Sequence, residues 1–326
     1  MLPATPHRLQ HLDAIRGLAA LSVCLCHFKH AFAPAVATLF SPLGDYGVFV
    51  FFVLSGFIIP RVLRKEGYRL ANAGRFLLKR IVRLHPPYLV SLALTLALSI
   101  AAAAWKHEAT TWSAVDLVSY FFYAEAPAEN PVYWTLRVEI CFYIFLALAY
   151  PLLNSSNRIV RTLAFLAPCV VWFFLADILF IHFIAFFLAG MALEQVQCGW
   201  IDWTEFSAKL LLASALAWAQ TGLDGMGIAL ASVALISVPL RVQIPRVILW
   251  FGAISYSLYL VHFPIGVKLL NLSLGRVPQV PSELFALAAL VASVLAAWGM
   301  YALVERPAMA LSRSIGNGNT KLAPIA

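Results

Sequence analysis

The stretch RFLLKRIVRLHPPYLVSLALTLALSIAAAAWK, running from Arg75 to Lys106, decides the fold. From Leu84 to Ala104 it contains no Asp, Glu, Lys or Arg. About 20 consecutive apolar residues are what an α-helix needs to cross the hydrocarbon core of a bilayer. Immediately before that run, Arg75, Lys79, Arg80 and Arg83 crowd together. Lys and Arg accumulate in cytoplasmic loops, so the cluster also orients the segment, with its start on the cytoplasmic side.

The rest of the chain extends the pattern. Its 326 residues are 62% hydrophobic and only 12% charged, with a mean hydropathy of +0.85. An ordinary soluble domain carries about 25% charged residues. A chain with half that charge cannot cover its surface with polar groups, which excludes a soluble globular enzyme. Disorder needs the opposite composition. Continuous apolar runs, rather than alternating ones, exclude a β-barrel. The expected fold class is therefore all-α, a polytopic transmembrane helix bundle of about ten spans. These fall roughly at 16–33, 46–60, 84–104, 132–153, 159–178, 181–196, 207–221, 225–240, 247–268 and 283–304. Ten spans put both termini on one side, and eighteen of the 23 Lys and Arg residues fall there, including eight between Arg61 and Arg83. Both termini are accordingly cytoplasmic, in a multi-pass protein of the inner or plasma membrane. The same bias accounts for the net charge of +8 without a nucleic-acid partner.

Residues 1–312 read as one membrane domain and 313–326 as a polar, disordered tail. Arg8, Arg16 and the apolar run ending near Ala35-Val36-Ala37 imitate a signal peptide, but His27, Lys29 and His30 interrupt it, so the segment is read as retained. Four of the five cysteines lie in spans and Cys198 faces the cytoplasm, which argues against a disulfide framework. No spacing suggests a zinc site.

Ionisable side chains inside a span are costly and face the bundle interior, so each is a candidate site residue. Arg16 and His27 are eleven residues apart, three turns plus about 20°, and share a helix face about 16 Å apart. Asp13, three residues before Arg16, can pair with it. A snorkelling Arg16 and an interfacial His27 are the plainer alternative. Ser55-Gly56 permits close backbone approach. Arg80 and Arg83, at i,i+3, form one cationic face suited to a phosphate or, equally, to anionic headgroups. In Trp134-Thr135-Leu136-Arg137-Val138-Glu139, the two charges point to different faces, so Glu139 needs a partner from elsewhere. Ser255, Tyr259 and His262 fall on one helical stripe. Glu305-Arg306-Pro307 ends the last span, where a local ion pair and a proline stop suffice.

In order, Leu12-Asp13-Ala14-Ile15-Arg16-Gly17 with His27, Ser55-Gly56-Phe57, the Arg80/Arg83 pair and Trp134…Glu139…Phe142-Tyr143 form the first half of a recognisable set. Ile254-Ser255-Tyr256-Ser257-Leu258-Tyr259 with His262, and Val304-Glu305-Arg306-Pro307, complete it. From Leu12 to Pro307 the set resembles the acyltransferase family 3 membrane proteins. The resemblance implies an integral membrane O-acyltransferase. Such an enzyme moves an acyl group, most often acetyl, from cytoplasmic acyl-CoA to a hydroxyl. The acceptor is a glycan, a lipid-linked saccharide or a related cell-envelope or exported molecule. Acyl-CoA is then a co-substrate, and no tightly bound cofactor or metal is expected.

The resemblance further implies His27 and Glu139 as catalytic residues, with His27 as general base and Glu139 orienting a histidine or the acceptor. Arg16, Arg80 and Arg83 would bind CoA. Asp13, Ser55, Trp134, Arg137, Tyr256, His262 and Glu305 would contact substrate, with a cation or Tyr256 stabilising the oxyanion. The family usually reads Trp-Ser-Leu-Ser-Val-Glu, whereas this chain has Thr135 and Arg137 in place of the serines. A pantetheine arm about as long as the Arg16–His27 separation would place the thioester at His27. Direct transfer is the expected route and an acyl-histidine the other one. A small transporter or flippase is the competing class; it too would combine ten spans with buried charge, but no inverted repeat is present.

Overall fold

The computed structural model describes residues 7–315 except 111, 239–242, 275 and 278, and among them it contains helices and no strands. The chain opens with α1 (His7–His27), α2 (Pro34–Phe40), α3 (Leu43–Lys65) and α4 (Ala73–Lys106). A short α5 (Ala114–Phe121), α6 (Trp134–Leu153), α7 (Arg158–Leu175), the single turn α8 (Leu179–His182) and α9 (Ile184–Gln197) follow. Then come α10 (Trp203–Ser237), α11 (Arg246–Val261), α12 (Lys268–Ser273), α13 (Ser282–Met300) and α14 (Arg306–Ser314). Two π-turns, His262–Val267 and Tyr301–Glu305, extend α11 and α13.

In lipid no hydrophobic force drives helices together, so association depends on close packing at small residues. Two glycine pairs provide it. Where α1 crosses α11, a Cβ on Gly17 would lie 2.7 Å from the Gly252 nitrogen, and one on Gly252 would enter the Asp13 carbonyl. Where α3 crosses α9, a Cβ on Gly56 would strike the Phe187 backbone and one on Gly190 the Val53 carbonyl. Ser55-Gly56 thus has the packing role its composition allowed. Gly190→Val is expected to lower folded yield and the thermal midpoint in detergent, since overpacking costs roughly 1–3 kcal/mol. Fluorescence-detected size exclusion after heating measures it, and an unchanged midpoint would refute the tight crossing.

At the centre stands α9, twelve of whose fourteen residues are buried. A helix apolar all round belongs in a core. Its last turn is tied down by polar side chains: Arg64 Nε donates to Glu194 at 2.9 Å, Gln195 donates to the Leu153 carbonyl at 2.7 Å, and Lys209 donates to Gln195 at 2.8 Å. Glu205 accepts from Arg161 at 3.0 Å and from Lys209 at 2.8 Å. These contacts gather α3, α6, α7, α9 and α10 at one end, here the basic end.

Among the described residues, seven helical segments are long and apolar enough to cross a membrane, where about ten spans were expected. First, α1 carries His11, Asp13 and Arg16 in its opening turns and stops at His27 rather than continuing to 33. Second, α9 is only 14 residues long. Third, the spans expected at 207–221 and 225–240 are the two arms of one continuous segment, α10, broken at Gly222 (φ 72°, ψ −162°), and so count once. The start of α10 is held at the basic end by Glu205 and Lys209, while Leu235 near its finish accepts from His11 of α1 at that same end. The chain therefore doubles back at Gly222, in a backbone conformation open to glycine. Of the expected tail, Arg313 and Ser314 finish α14, while 316–326 lie outside the described residues, as do Arg241 and Lys321 of the basic count. The outward faces expose large apolar side chains such as Leu211, Phe174 and Leu148. The molecule is a multi-pass membrane protein.

Candidate active site

A cavity of about 450 Å³ opens between α1, α3, α4, α6 and α11 at the basic end. One face of α3, from Phe51 through Ser55 and Ile58 to Lys65, supplies its apolar wall. The ionisable lining is Asp13, Arg16, Arg61, Lys65, Arg80, Arg83 and Glu139, five cations against two carboxylates. Isolated charge in such a place is expensive, and buried charges are normally paired. Arg16 has Asp13 at 3.9 Å, one turn away. Arg80 lies over the rings of Phe76 (5.4 Å) and Tyr143 (5.7 Å), and its buried Nε has no hydrogen-bond partner among the described residues. The Tyr143 hydroxyl donates to Glu139, which is the partner Glu139 required. The buried Ser255 hydroxyl, also in the lining, is likewise unpartnered. The lining thus holds more cations than carboxylates, with the Arg80 Nε and the Ser255 hydroxyl unpartnered among the described residues.

The lining also includes Val48, Phe51, Thr135 and Tyr259. The Tyr259 hydroxyl lies 2.7 Å from Thr135 Oγ1 and donates to the Val132 carbonyl at 2.8 Å. Behind the Tyr259 ring, 5.8 Å between centroids, is His262. His262 opens the π-turn, an insertion that shifts the helix register and is common at functional sites. Its Nε2 is 3.3 Å from Nδ1 of His27, the last residue of α1, across 235 residues of sequence. His262 is fully buried, whereas His27 is partly exposed. Phe263 meets the His27 ring edge-on at 5.4 Å.

The candidates from sequence thus separate. Asp13, Arg16, Ser55, Arg80, Arg83, Glu139 and Tyr256 all line the cavity. His27 and His262 come together outside the lining, with His262 behind the Tyr259 ring. Glu139 accepts from Tyr143 and, among the described residues, has no hydrogen bond to either histidine. Tyr256 donates its hydroxyl proton to the Leu84 carbonyl at 2.9 Å. Trp134 packs on Phe52 and Phe183 and is absent from the lining.

Glu305 also lies off the cavity. It accepts from the Ser257 hydroxyl at 2.6 Å and the Ser257 amide at 3.2 Å, tying the second π-turn to α11 in place of a local pair with Arg306. Arg137 is exposed on the outer face of α6, in line with Ile144 and Leu148, and is absent from the cavity lining. Arg137→Ser is expected to leave acyl transfer within about twofold, because surface substitutions remote from a site usually shift energies by less than about 0.5 kcal/mol. A tenfold loss in a transfer assay would restore Arg137 to the site.

Residue-by-residue reading missed Arg61 and Lys65, which had served only to set topology. The signal was available: Ser55, Ile58, Val62 and Lys65 recur at helical spacing on one face of α3. Among the described residues no group of three His, Cys, Asp or Glu side chains could hold a metal, and the five cysteines are unpaired thiols.

Comparison with known proteins accords with this arrangement. The family model described as "Acyltransferase domain" matches residues 9–302. "Acyltransferase MdmB" of Streptomyces mycarofaciens is 26% identical, over 95% of this chain and 94% of that protein. "Protein 2 in picA locus" of Rhizobium radiobacter is 36% identical over 30% of this chain. "Peptidoglycan O-acetyltransferase OatA" of Listeria monocytogenes is 26% identical over 41% of it. The chain spans 49% of the Rhizobium protein and 22% of the Listeria protein. No solved structure gives a significant match.

Proposed function

The chain belongs to the acyltransferase family matched over residues 9–302 and is an acyltransferase; on that premise we propose that it moves an acyl group, most often acetyl, from cytoplasmic acyl-CoA to a hydroxyl of a glycan or related exported molecule. The observation that carries the reading is the cavity lining, with five cations against two carboxylates. CoA is polyanionic, and its phosphates suit Arg80, Arg83 and Arg16, with Arg61 and Lys65 beside them. The apolar wall of α3 suits the pantetheine arm. The basic end then faces the cytoplasm of the inner or plasma membrane, in keeping with the distribution of Lys and Arg.

The thioester reaches the histidines when the Tyr259 ring leaves its hydrogen bonds to Thr135 and Val132. His27, partly exposed at the opposite end of α1, meets the acceptor there. It removes the acceptor proton as the oxygen attacks the thioester carbonyl, since imidazole is the side chain that titrates nearest neutral pH. The C–S bond breaks, the C–O bond forms, and the proton passes on to the departing CoA sulfur. With Tyr256 committed to Leu84, the oxyanion is left to a cation. A transport function without chemistry is set aside by the family.

The purified protein in nanodiscs, given labelled acetyl-CoA and an envelope glycan, should release free CoA thiol only when the acceptor is present. Mass spectrometry of surface glycans from cells with and without the protein would identify the acceptor. An absence of acceptor-dependent thiol release with every glycan and acyl-CoA tested would sink the reading.

A further inference from the structure

We propose that His262 is a positioning residue that, together with the Val23 carbonyl, holds the ring proton of His27 on Nδ1, so that Nε2 of His27 is the atom that takes the acceptor proton. This rests on the reading of His27 as general base and adds which nitrogen acts and what holds it.

Hydrogen-bond accounting leads to the assignment. Nδ1 of His262 lies 2.8 Å from the Tyr259 carbonyl and 3.1 Å from the Leu258 carbonyl. Carbonyl oxygens only accept, so this nitrogen carries the ring proton. A neutral imidazole with its proton on Nδ1 presents a lone pair at Nε2. That Nε2 faces Nδ1 of His27 at 3.3 Å, and the same Nδ1 lies 2.9 Å from the Val23 carbonyl. Both neighbours of His27 Nδ1 therefore accept, and it must carry the proton. The lone pair of His27 is left on Nε2, outside this pair of contacts.

The arrangement also serves the charged state. When Nε2 takes the proton from the acceptor hydroxyl, the imidazolium keeps two acceptors on Nδ1–H, the Val23 carbonyl and His262 Nε2. A charge-assisted hydrogen bond is roughly twice as strong as a neutral one. His262 is itself held on both sides, by its two carbonyl acceptors and by the packed turn in which it is fully buried. The helices that lead to the pair, α1 into His27 and α11 into the π-turn, cross closely at Gly17 and Gly252.

The test uses the full chain in nanodiscs, labelled with ¹⁵N-histidine, with the His27 signals identified by their loss in His27→Ala. In the unmodified protein, two-bond ¹⁵N–¹H correlations should show the proton of neutral His27 on Nδ1. In His262→Ala the Val23 carbonyl still holds that proton on Nδ1, but the Nδ1 resonance should shift because its second acceptor is lost. The variant's kcat should fall by roughly tenfold to a hundredfold, the lower part of what a positioned base contributes, with KM for acetyl-CoA within about twofold. His262→Gln, whose amide oxygen can accept from Nδ1–H, should recover much of the lost kcat. A proton on Nε2 of His27 in the unmodified protein, or an unchanged kcat in His262→Ala, would overturn the proposal. The tautomer is read on unmodified protein, so the test survives a variant that fails to fold. Failure of the base reading shows up separately, as normal transfer by His27→Ala.

Discussion

His27→Ala is expected to lower acyl transfer by about 10²–10⁴-fold, the usual contribution of a positioned general base, with no loss of folded protein. The size follows from the chemistry: a neutral hydroxyl is a poor nucleophile unless its proton leaves as the new bond forms. The sparing of the fold follows from the position. His27 is the last residue of α1, partly exposed, and its ring nitrogen bonds only to His262 and to Val23 one turn earlier. The glycine crossing that anchors α1 to α11 lies ten residues away at Gly17. Size exclusion should therefore give the same profile for the variant, and labelled acetyl-CoA should bind as before. Acceptor-dependent thiol release is the measurement; a rate within about threefold of the parent would remove His27 from the chemistry.

Arg83→Ala should raise KM for acetyl-CoA by roughly tenfold to a hundredfold while leaving kcat nearly unchanged, since a hydrogen bond to a charged group contributes about 1.5–3 kcal/mol. Arg80→Ala should behave alike. Its guanidinium is held by two aromatic faces and leaves a buried Nε without a partner, so its removal also costs the fold little. Lysine should restore only part of the affinity, because it keeps the charge and loses the planar fork. Acetyl-pantetheine supplies the internal control. It lacks the nucleotide phosphates, so the parent and Arg83→Ala should use it with equal KM. A KM for acetyl-CoA unchanged in both variants would move the phosphates away from this pair.

Much of the cavity was legible in the sequence because the lipid environment makes charge conspicuous. In a chain with 12% charged residues, Asp13, Arg16, Arg80, Arg83 and Glu139 stood out inside or beside apolar runs, and all five line the cavity. Helical periodicity also placed Ser255, Tyr259 and His262 on one stripe, with the first two in the lining and the third just behind it. Arg137 shows where this reasoning fails. A charge in a span was expected to face inward, yet Arg137 sits on the outer stripe of α6 near the opposite end, where a long side chain can reach the interface. The span count departs for a related reason: apolar length alone cannot separate a membrane-crossing helix from a buried core helix such as α9.

By itself, then, the sequence determined the solvent of this protein, its all-helical class, its family and most of the ionisable lining of its cavity. Those properties depend on composition, on local spacing and on the order of short motifs, all of which are written along the chain. Only the tertiary structure decided that His27 meets His262, that His262 lies behind the Tyr259 ring, that Glu305 holds Ser257, and that Arg137 faces away. Each of those depends on how far one helix is rotated and how closely it approaches another. Glycine contacts such as Gly17 on Gly252, together with one extra residue in a π-turn, set that rotation, and no periodicity within a single segment encodes it.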